Sequence, residues 1–558
     1  MTSKRLVWLK NNPTRRKEMA DQKRILLRIV DPVFGPNNVY RSQAKKIFPL
    51  GPVMVGTVAA RKIPWLDVEI IGENNYRGPL TEEGLPDHWI LQEERKADLI
   101  GISASITNAV PRALEVIRDY LAMFDDLKPQ AVIVGGWHAG VSPREFLAAG
   151  AAVVVHGEGE IVIASLILAL RERVPLGNIP GISFWKDGNI QRNPPDFLTL
   201  TEEELNDLPH PDFGLVRYAK IKIYPVCYGR GCNGRCRFCL VKSSHRHLSP
   251  ERFLEQIMLL VSKGARKFFV VDDRIEEDLE GFRRWLQELW DFRRRRKIRR
   301  LNLTVQCRLT LAEHPDLLKL MTEAGVRTVA IGFESPLRDQ LIAMRKPLSH
   351  RKMIEHAKAF RRAGLYVHMM LIFGYPTSIT GAPSPIKRSA EELAKAFLRF
   401  MLKVPSDTAQ VLFYVPIPGT EDWYELKKRG RIFSLDWSFY DGTWVVFVPD
   451  NDIDPIELQK KGVELTRRYY AYKWIWRFGW LTLLIHLFRI GTVVPAMPFI
   501  WLMVLPFYRN IHLAWRVPLR KFRRVRKHFM AHWVILAWLR SFRRLKKVLK
   551  GAYQRKEA

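Results

Sequence analysis

The chain has 558 residues, 47% of them hydrophobic and 11% aromatic, enough for about three or four domains with buried cores. Gly and Pro number 34 each and no internal period is visible, which excludes collagen-like, low-complexity and solenoid chains; five cysteines exclude a disulfide-dense secreted scaffold. The net charge is +33 and uneven: from Ala471 onward nineteen Lys or Arg face the single acid Glu557, so the last 88 residues carry +18, a field that attracts phosphate on nucleic acid or on anionic lipid.

Residues 1–23 are basic but lack an apolar run of signal-peptide length, so they read as a solvated arm. From residue 24 short apolar runs alternate with helical patterns. The runs at 25–30, 66–71, 98–103, 131–134 and 152–156 predict strands, with helices near 52–62, 110–124 and 160–171. This alternation predicts a parallel, doubly wound, Rossmann-like α/β sheet, whose ligands sit at the carboxyl ends of strands. Small and polar residues gather there: Gly101, Ser103, Ser105 and Thr107, then Gly135-Gly136-Trp137-His138, then His156-Gly157-Glu158-Gly159-Glu160. Such glycines let backbone approach a ligand, although ordinary strand–helix turns use them too. A hairpin turn at 186–189 closes this domain by residue 197, and 198–215 reads as a linker.

Cys232, Cys236 and Cys239 follow in the spacing Cys-x3-Cys-x2-Cys. Soft thiolates select iron–sulfur or zinc. A structural zinc takes four ligands, whereas three thiolates on one short loop suit a [4Fe-4S] cluster with one open iron. Cys227, at the end of the run 222–227, reads as a buried strand residue. Five more apolar runs follow, at 267–273, 301–307, 327–334, 366–374 and 409–416, with helical patterns between them. With the run 222–227 these make six strands alternating with helices over 216–440, and sites of such α/β folds gather at strand carboxyl ends. Three of those ends carry Asp272-Asp273, Gln306-Cys307-Arg308 and Gly332-Phe333-Glu334-Ser335. Residues 441–470 read as a C-terminal extension.

The segments GIS, VGGWHAG and VVHGEGE, with the cysteine spacing and the Gly-x-Glu-Ser of the fourth strand, resemble the B12-binding (cobalamin-dependent) radical SAM enzyme family over roughly 24–440. The resemblance implies that the six strands form an incomplete (β/α)6 barrel over 216–440, that Cys232, Cys236 and Cys239 hold a [4Fe-4S] cluster whose open iron chelates S-adenosyl-L-methionine, and that cluster reduction releases a deoxyadenosyl radical. It implies that Phe238 lies near adenine, Asp272 or Asp273 near the amino group, Glu334 near the ribose or methionine part and Arg308 near the carboxylate. It implies further that Ser103, Gly135, Gly136, His138, Gly157 and Glu158 border cobalamin. The Asp-x-His-x-x-G motif that supplies a histidine to cobalt is absent, so either cobalamin binds without it or the domain is a scaffold; His138 and His156 are read first as satisfied loop histidines. The methylthiotransferases share the loop but carry a second cysteine triad in the N-terminal domain, and no cysteine precedes Cys227.

The tail, 471–558, interleaves seven tryptophans with Lys and Arg beside apolar stretches. Residues 491–508 are uncharged but interrupted by Pro495, Pro498 and Pro506, so the tail is expected to lie in the plane of an anionic membrane surface rather than span it. The expectation is therefore a cytoplasmic, peripherally membrane-associated radical enzyme. Its expected partners are a lipid-like or amphipathic substrate and an electron donor such as flavodoxin or ferredoxin, and no nucleic acid. C-methylation is the first reading of its reaction, and radical cyclisation, oxidation or carbon–carbon bond formation the second. A non-catalytic membrane-bound cobalamin or cluster protein is the alternative of another class.

Overall fold

The computed structural model describes residues 23–35, 38, 40–346, 348–380 and 386–472. The basic arm up to residue 22 and the tail beyond 472, with the membrane reading placed on it, lie outside the described residues. Among the described residues no helix is long and apolar enough to cross a membrane.

The first half forms one eight-stranded sheet. Its parallel centre comprises β1 (Ile25–Asp31), β2 (Leu66–Gly72), β3 (Leu99–Ser103), β4 (Ala131–Gly135) and β5 (Val153–Val155) in the order β2-β1-β3-β4-β5. The antiparallel hairpin β6 (Ile182–Lys186) and β7 (Asn189–Arg192) extends one edge, and β8 (Val216–Arg217) pairs with β2 at the other. Leu27 and Ile29 of β1 pack with the helices Leu50–Lys62 and Ile163–Glu172, while Leu26 and Val30 pack with the helix Val110–Leu121. Both faces are thus buried, which is why these strands read as continuous apolar runs. The strand order reverses between β1 and β3, the place where such sheets open a ligand crevice.

One β1 residue breaks the apolar run. Arg28 is fully buried and fully used: it donates to Glu69 Oε1 (2.6 Å), Gln92 Oε1 (2.6 Å), the Tyr120 hydroxyl (3.3 Å) and the carbonyls of Leu91 (2.7 Å) and Arg95 (2.6 Å). Glu69 also accepts from Arg217 of β8 at 2.7 Å, so one ion-pair network ties the sheet centre to its far edge.

Segment 198–215 differs from the expected linker. Leu198 pairs with Gly157, the helix Glu202–Asp207 is closed by a capping box at Thr201, and Leu200 and Leu205 enter the second core. Leu198, Leu200, Leu205 and Leu208, spaced two, five and three positions apart in an otherwise polar stretch, supply the packing. Because β8 belongs to the first sheet, the barrel begins only after it.

The second half is a six-stranded parallel sheet in sequential order: β9 (Tyr224–Val226), β12 (Lys267–Val270), β13 (Asn302–Cys307), β14 (Val326–Glu334), β15 (Tyr366–Phe373) and β16 (Thr408–Phe413). The two-residue strands β10 (Gly229–Arg230) and β11 (Arg246–His247) form a separate hairpin at the base of the cysteine loop. On β15, Val367, Met369, Leu371 and Phe373 are buried in the main core, so His368, Met370 and Ile372 face the other way, into the lumen. In register they stand beside Ala330 and Gly332 of β14 and Thr408, Gln410 and Leu412 of β16, a lumen of mixed polarity with small residues on one wall.

The barrel is open between β9 and β16, and the first domain fills the gap. The carbonyl of Lys46 accepts from the amides of Lys222 and Ile223 just before β9, and the Tyr40 hydroxyl accepts from Gln410 of β16. Gln410 in turn meets His368 Nε2 at 3.3 Å. The C-terminal extension is also part of the barrel: on the helix over 455–472 Tyr470 bonds both the amide (3.0 Å) and the carbonyl (2.6 Å) of Ala409. Near the seam, Asp441 accepts from the Thr443 amide at 2.8 Å, and its Oδ2 is buried without a partner among the described residues.

Burial pushes the Asp441 carboxyl from the ordinary 3.8 up to about 6. Between those values the folded state holds the extra proton, so stability falls as pH rises and the loss is complete above about 6. Asp441→Asn is therefore expected to stabilise the protein at pH 7.5, by at most about 3 kcal/mol, and to have no such effect at pH 3.5. Urea denaturation at the two pH values measures the difference.

Candidate active site

The cysteine loop is anchored by carboxylates at its base. Asp272, just after β12, is 1% exposed and accepts from the amides of Tyr228 (2.8 Å) and Gly229 (2.7 Å), the residues that lead β9 into the loop. Burial pushes its carboxyl up to about 7, with those two amides acting against the shift. Of the expected pair Asp272 or Asp273, Asp272 is thus engaged by loop backbone through both oxygens. Asp273 faces the cavity described below. Glu277 accepts from Asn233 at both its amide and its Nδ2 (3.2 Å each) and pairs with Arg274 at 2.7 Å.

The three thiols stand on one loop, each part-buried. Burial raises the thiols of Cys232 and Cys239; for Cys232 the Gly234 amide, which donates to its sulfur at 3.3 Å, and the Arg308 guanidinium pull the other way. Negative charge on Asp273, Cys236 and Cys232 also opposes ionisation of Cys239. A side chain on Gly234 would lie 2.6 Å from Arg308 Nη2 and 3.1 Å from Cys232 Sγ, so only glycine lets the guanidinium close over the loop. Arg308 makes no side-chain hydrogen bond or ion pair among the described residues, which leaves its fork free for a carboxylate. Among the described residues no three His, Cys, Asp or Glu side chains converge on a point the size of one metal ion.

Glu334, at the end of β14, pairs with Lys346 Nζ at 2.5 Å. Its φ is +58°, where a residue with a side chain is strained, and the β14–β15 register shifts between Gly332 and Glu334. The bulge turns the carboxylate back over Gly332, whose absent Cβ would sit 2.2 Å from Glu334 Oε1. Lys346 went unread because nothing in its local sequence marks it. The Phe238 ring stands edge-on to Tyr375, centroids 6.4 Å apart.

A cavity of about 370 Å³ lies between the two halves. The first domain lines it with Ser103, Gly135, Gly136, Gly157 and Glu158 from the carboxyl ends of β3, β4 and β5; the barrel lines it with Cys227, Arg230 and Asp273 among others. The glycines divide by purpose. Gly136 (φ +115°) and Gly157 (φ +86°) are demanded by backbone, since a Cβ would meet Ser105 Oγ at 2.5 Å or the Leu198 carbonyl at 2.3 Å. At Gly135 a Cβ would meet only Val155, at 3.9 Å, and would stand in the cavity.

Glu158 bonds the Leu200 amide (2.5 Å) and Arg246 Nη1 (2.9 Å) and pairs with Arg230 (3.3 Å), so it ties the cluster-loop hairpin to the first domain as well as bordering the cavity. His138 does not border it: its ring is 2% exposed, with Nδ1 3.2 Å from Thr107 Oγ1 and Trp437 against its edge. The turn at Gly136 sends that side chain to the far face. His156 spends both nitrogens, on the Gly140 carbonyl (2.9 Å) and Ser183 Oγ (2.8 Å), and burial lowers its pKa. Among the described residues lining the cavity there is no histidine.

Comparison with known proteins agrees with this layout. The model of the radical SAM superfamily matches residues 226–378 and that of the B12 binding domain residues 81–167. An uncharacterised methyltransferase of Pyrococcus horikoshii is 26% identical over 62% of this chain and 72% of its own. The bacteriochlorophyllide d C-8(2)-methyltransferase of Chlorobaculum tepidum is 23% identical over 71% and 85%. The structure of the radical S-adenosylmethionine methyltransferase TsrM from Kitasatospora setae, with cobalamin and a [4Fe-4S] cluster, superimposes with a TM-score of 0.58 at 17% identity, over 73% of this chain and 75% of that one. The chain belongs to the B12-binding radical SAM enzymes. Its cofactors are a [4Fe-4S] cluster, S-adenosylmethionine and cobalamin, and the residues present fit them: a thiol-bearing loop under a free guanidinium, and a glycine-cradled cavity that opens beside that loop.

Two substitutions separate the expected roles. Cys236→Ala is expected to abolish the brown cluster absorbance and all cleavage of S-adenosylmethionine. Glu334→Gln is expected to keep wild-type iron and sulfide content but to weaken S-adenosylmethionine affinity by about tenfold or more, the usual scale for losing a charged hydrogen bond; absorbance, iron assay and product analysis check the first variant, and iron assay with calorimetric titration of the reconstituted protein the second.

Proposed function

We propose that this enzyme transfers a methyl group to an unactivated carbon of a lipid-like or amphipathic substrate. The observation that carries the reading is the shared cavity, which brings the glycine-lined ends of β3–β5 against Cys227, Arg230 and Asp273 at the root of the cysteine loop. When bound, the cluster and S-adenosylmethionine supply hydrogen abstraction from carbon, and cobalamin supplies the methyl group.

The chain's own residues do the positioning. Asp272 fixes the backbone that presents the thiols. Arg308 offers a carboxylate a guanidinium that is unpaired among the described residues, and Lys346 orients Glu334. Met370, Ile372 and Leu412 give the lumen apolar walls, and His368, Thr408 and Gln410 give it a polar floor, a pairing that suits an amphipathic molecule. The methyltransferase named for bacteriochlorophyllide d supports methylation as the reaction class, and the basic, Trp-rich tail supports an anionic membrane surface as the place of work. Flavodoxin or ferredoxin is the proposed electron source.

Anaerobic incubation of the reconstituted enzyme with methyl-deuterated S-adenosylmethionine, a reductant and a cell extract of lipids and pigments is expected to give 5′-deoxyadenosine, S-adenosylhomocysteine and a deuterium-labelled product. 5′-Deoxyadenosine without S-adenosylhomocysteine would replace methylation by cyclisation or oxidation. Separately, the full chain is expected to float with vesicles containing anionic lipid, and a chain ending at residue 470 is expected to stay behind; flotation of the shortened chain would remove the tail from the account.

A further inference from the structure

The cysteine loop has a second anchor, at the end opposite Asp272. Arg237 lies between the second and third cysteines, and its Nε donates to Asp422 Oδ1 at 2.8 Å. The other oxygen of Asp422 accepts from the Tyr375 hydroxyl at 2.7 Å. Asp422 is 0% exposed and Tyr375 2%. Asp422 is the second residue of the helix Glu421–Lys428, where the helix dipole favours negative charge, and its neighbour Glu421 pairs with Arg237 Nη1 at 3.3 Å. The Arg237 amide also donates to the Met344 carbonyl at 3.3 Å.

Three strands meet at this point. Arg237 sits on the loop after β9, Tyr375 just past β15, and Asp422 beyond β16. The contact therefore crosses the open mouth of the barrel from the first strand to the last, and both carboxylate oxygens are consumed by it. Tyr375 is also the ring against which Phe238 stands. Movement of Asp422 would thus shift Cys236, Cys239 and Phe238 together.

We propose that Arg237, Asp422 and Tyr375 form a latch that sets the position of the cluster-bearing loop relative to the carboxyl ends of β15 and β16. They are positioning residues, acting through Cys236, Cys239 and Phe238. The inference rests on the family assignment and is independent of whether the reaction is methylation.

The test uses full-length protein reconstituted anaerobically with iron and sulfide: wild type, Asp422→Asn, Arg237→Gln, the double variant, and Asp450→Asn as control. Asp450 is a part-buried carboxylate that accepts from Thr377 and Ser378 and pairs with Arg431, with no bond to Arg237, Asp422 or Tyr375 among the described residues. Two quantities are read, the rate of iron loss to a chelator and the change that S-adenosylmethionine makes in the electron paramagnetic resonance spectrum of the reduced cluster. Asp422→Asn and Arg237→Gln are each expected to lose iron at least about threefold faster, the double variant no faster than the worse single, as for two members of one contact. Both singles are expected to blunt the spectral change, and Asp450→Asn to match wild type. Wild-type iron loss and an unaltered spectral change in Asp422→Asn would overturn the proposal, as would additive single effects or the same defect in Asp450→Asn. If Asp422→Asn does not fold, Arg237→Lys, which keeps the charge but lacks the Nε donor, carries the same comparison.

Discussion

A loop that presents three thiols to a cluster has no ladder of its own to hold it, and this protein holds it with buried carboxylates. Asp272 takes the two amides at its entry, Glu277 the Asn233 amide within it, and Asp422 the guanidinium near its exit. A backbone amide or guanidinium bound to a carboxylate is a charge-assisted contact, stronger and more directional than a neutral one. Burial makes each anchor costly to break, because removing one partner strands the other away from water. The same device recurs between the halves, where Glu158 and Glu160 hold Arg230 and Arg246 of the hairpin that brackets the loop. The position of the thiols thus depends on charges contributed by the first domain, by the barrel's second strand and by the helix after its last.

The two halves are one machine for a related reason. A partial barrel leaves an unpaired edge on β9 and another on β16, and such edges need cover. Segment 40–47 supplies it, bonding the chain before β9 through Lys46 and reaching β16 through Tyr40. The shared cavity lies on the same interface, so the contact that closes the barrel also sets one domain's strand ends against the other's cysteine loop.

Much of this was legible in the sequence because it follows from period and spacing. Apolar runs gave away the strands of both sheets, and the cysteine spacing and Gly-Phe-Glu-Ser marked the loop and the end of β14. What was not legible involves partners distant in the chain. Asp272 looked like a ligand contact because an acid at a strand end is ambiguous until its hydrogen bonds are known. His138 looked like part of the crevice because it follows two glycines there, but the left-handed turn at Gly136 directs it elsewhere. Lys346 and Asp422 carry no local signature at all; they matter only because the barrel brings residues up to 185 positions apart within hydrogen-bonding distance. The supposed linker failed for the opposite reason, since its polar composition hid the few leucines that anchor it.

The strap from Tyr40 to Ile47 has a consequence for ancestry and engineering. A barrel that borrows its last wall from the domain before it is not an interchangeable module. Exchanging the first domain for another of the same fold would preserve every motif in the second and still leave its lumen unsealed on one side. Grafts between relatives should therefore treat residues 40–47 as barrel sequence, although they lie more than 170 positions ahead of the first barrel strand.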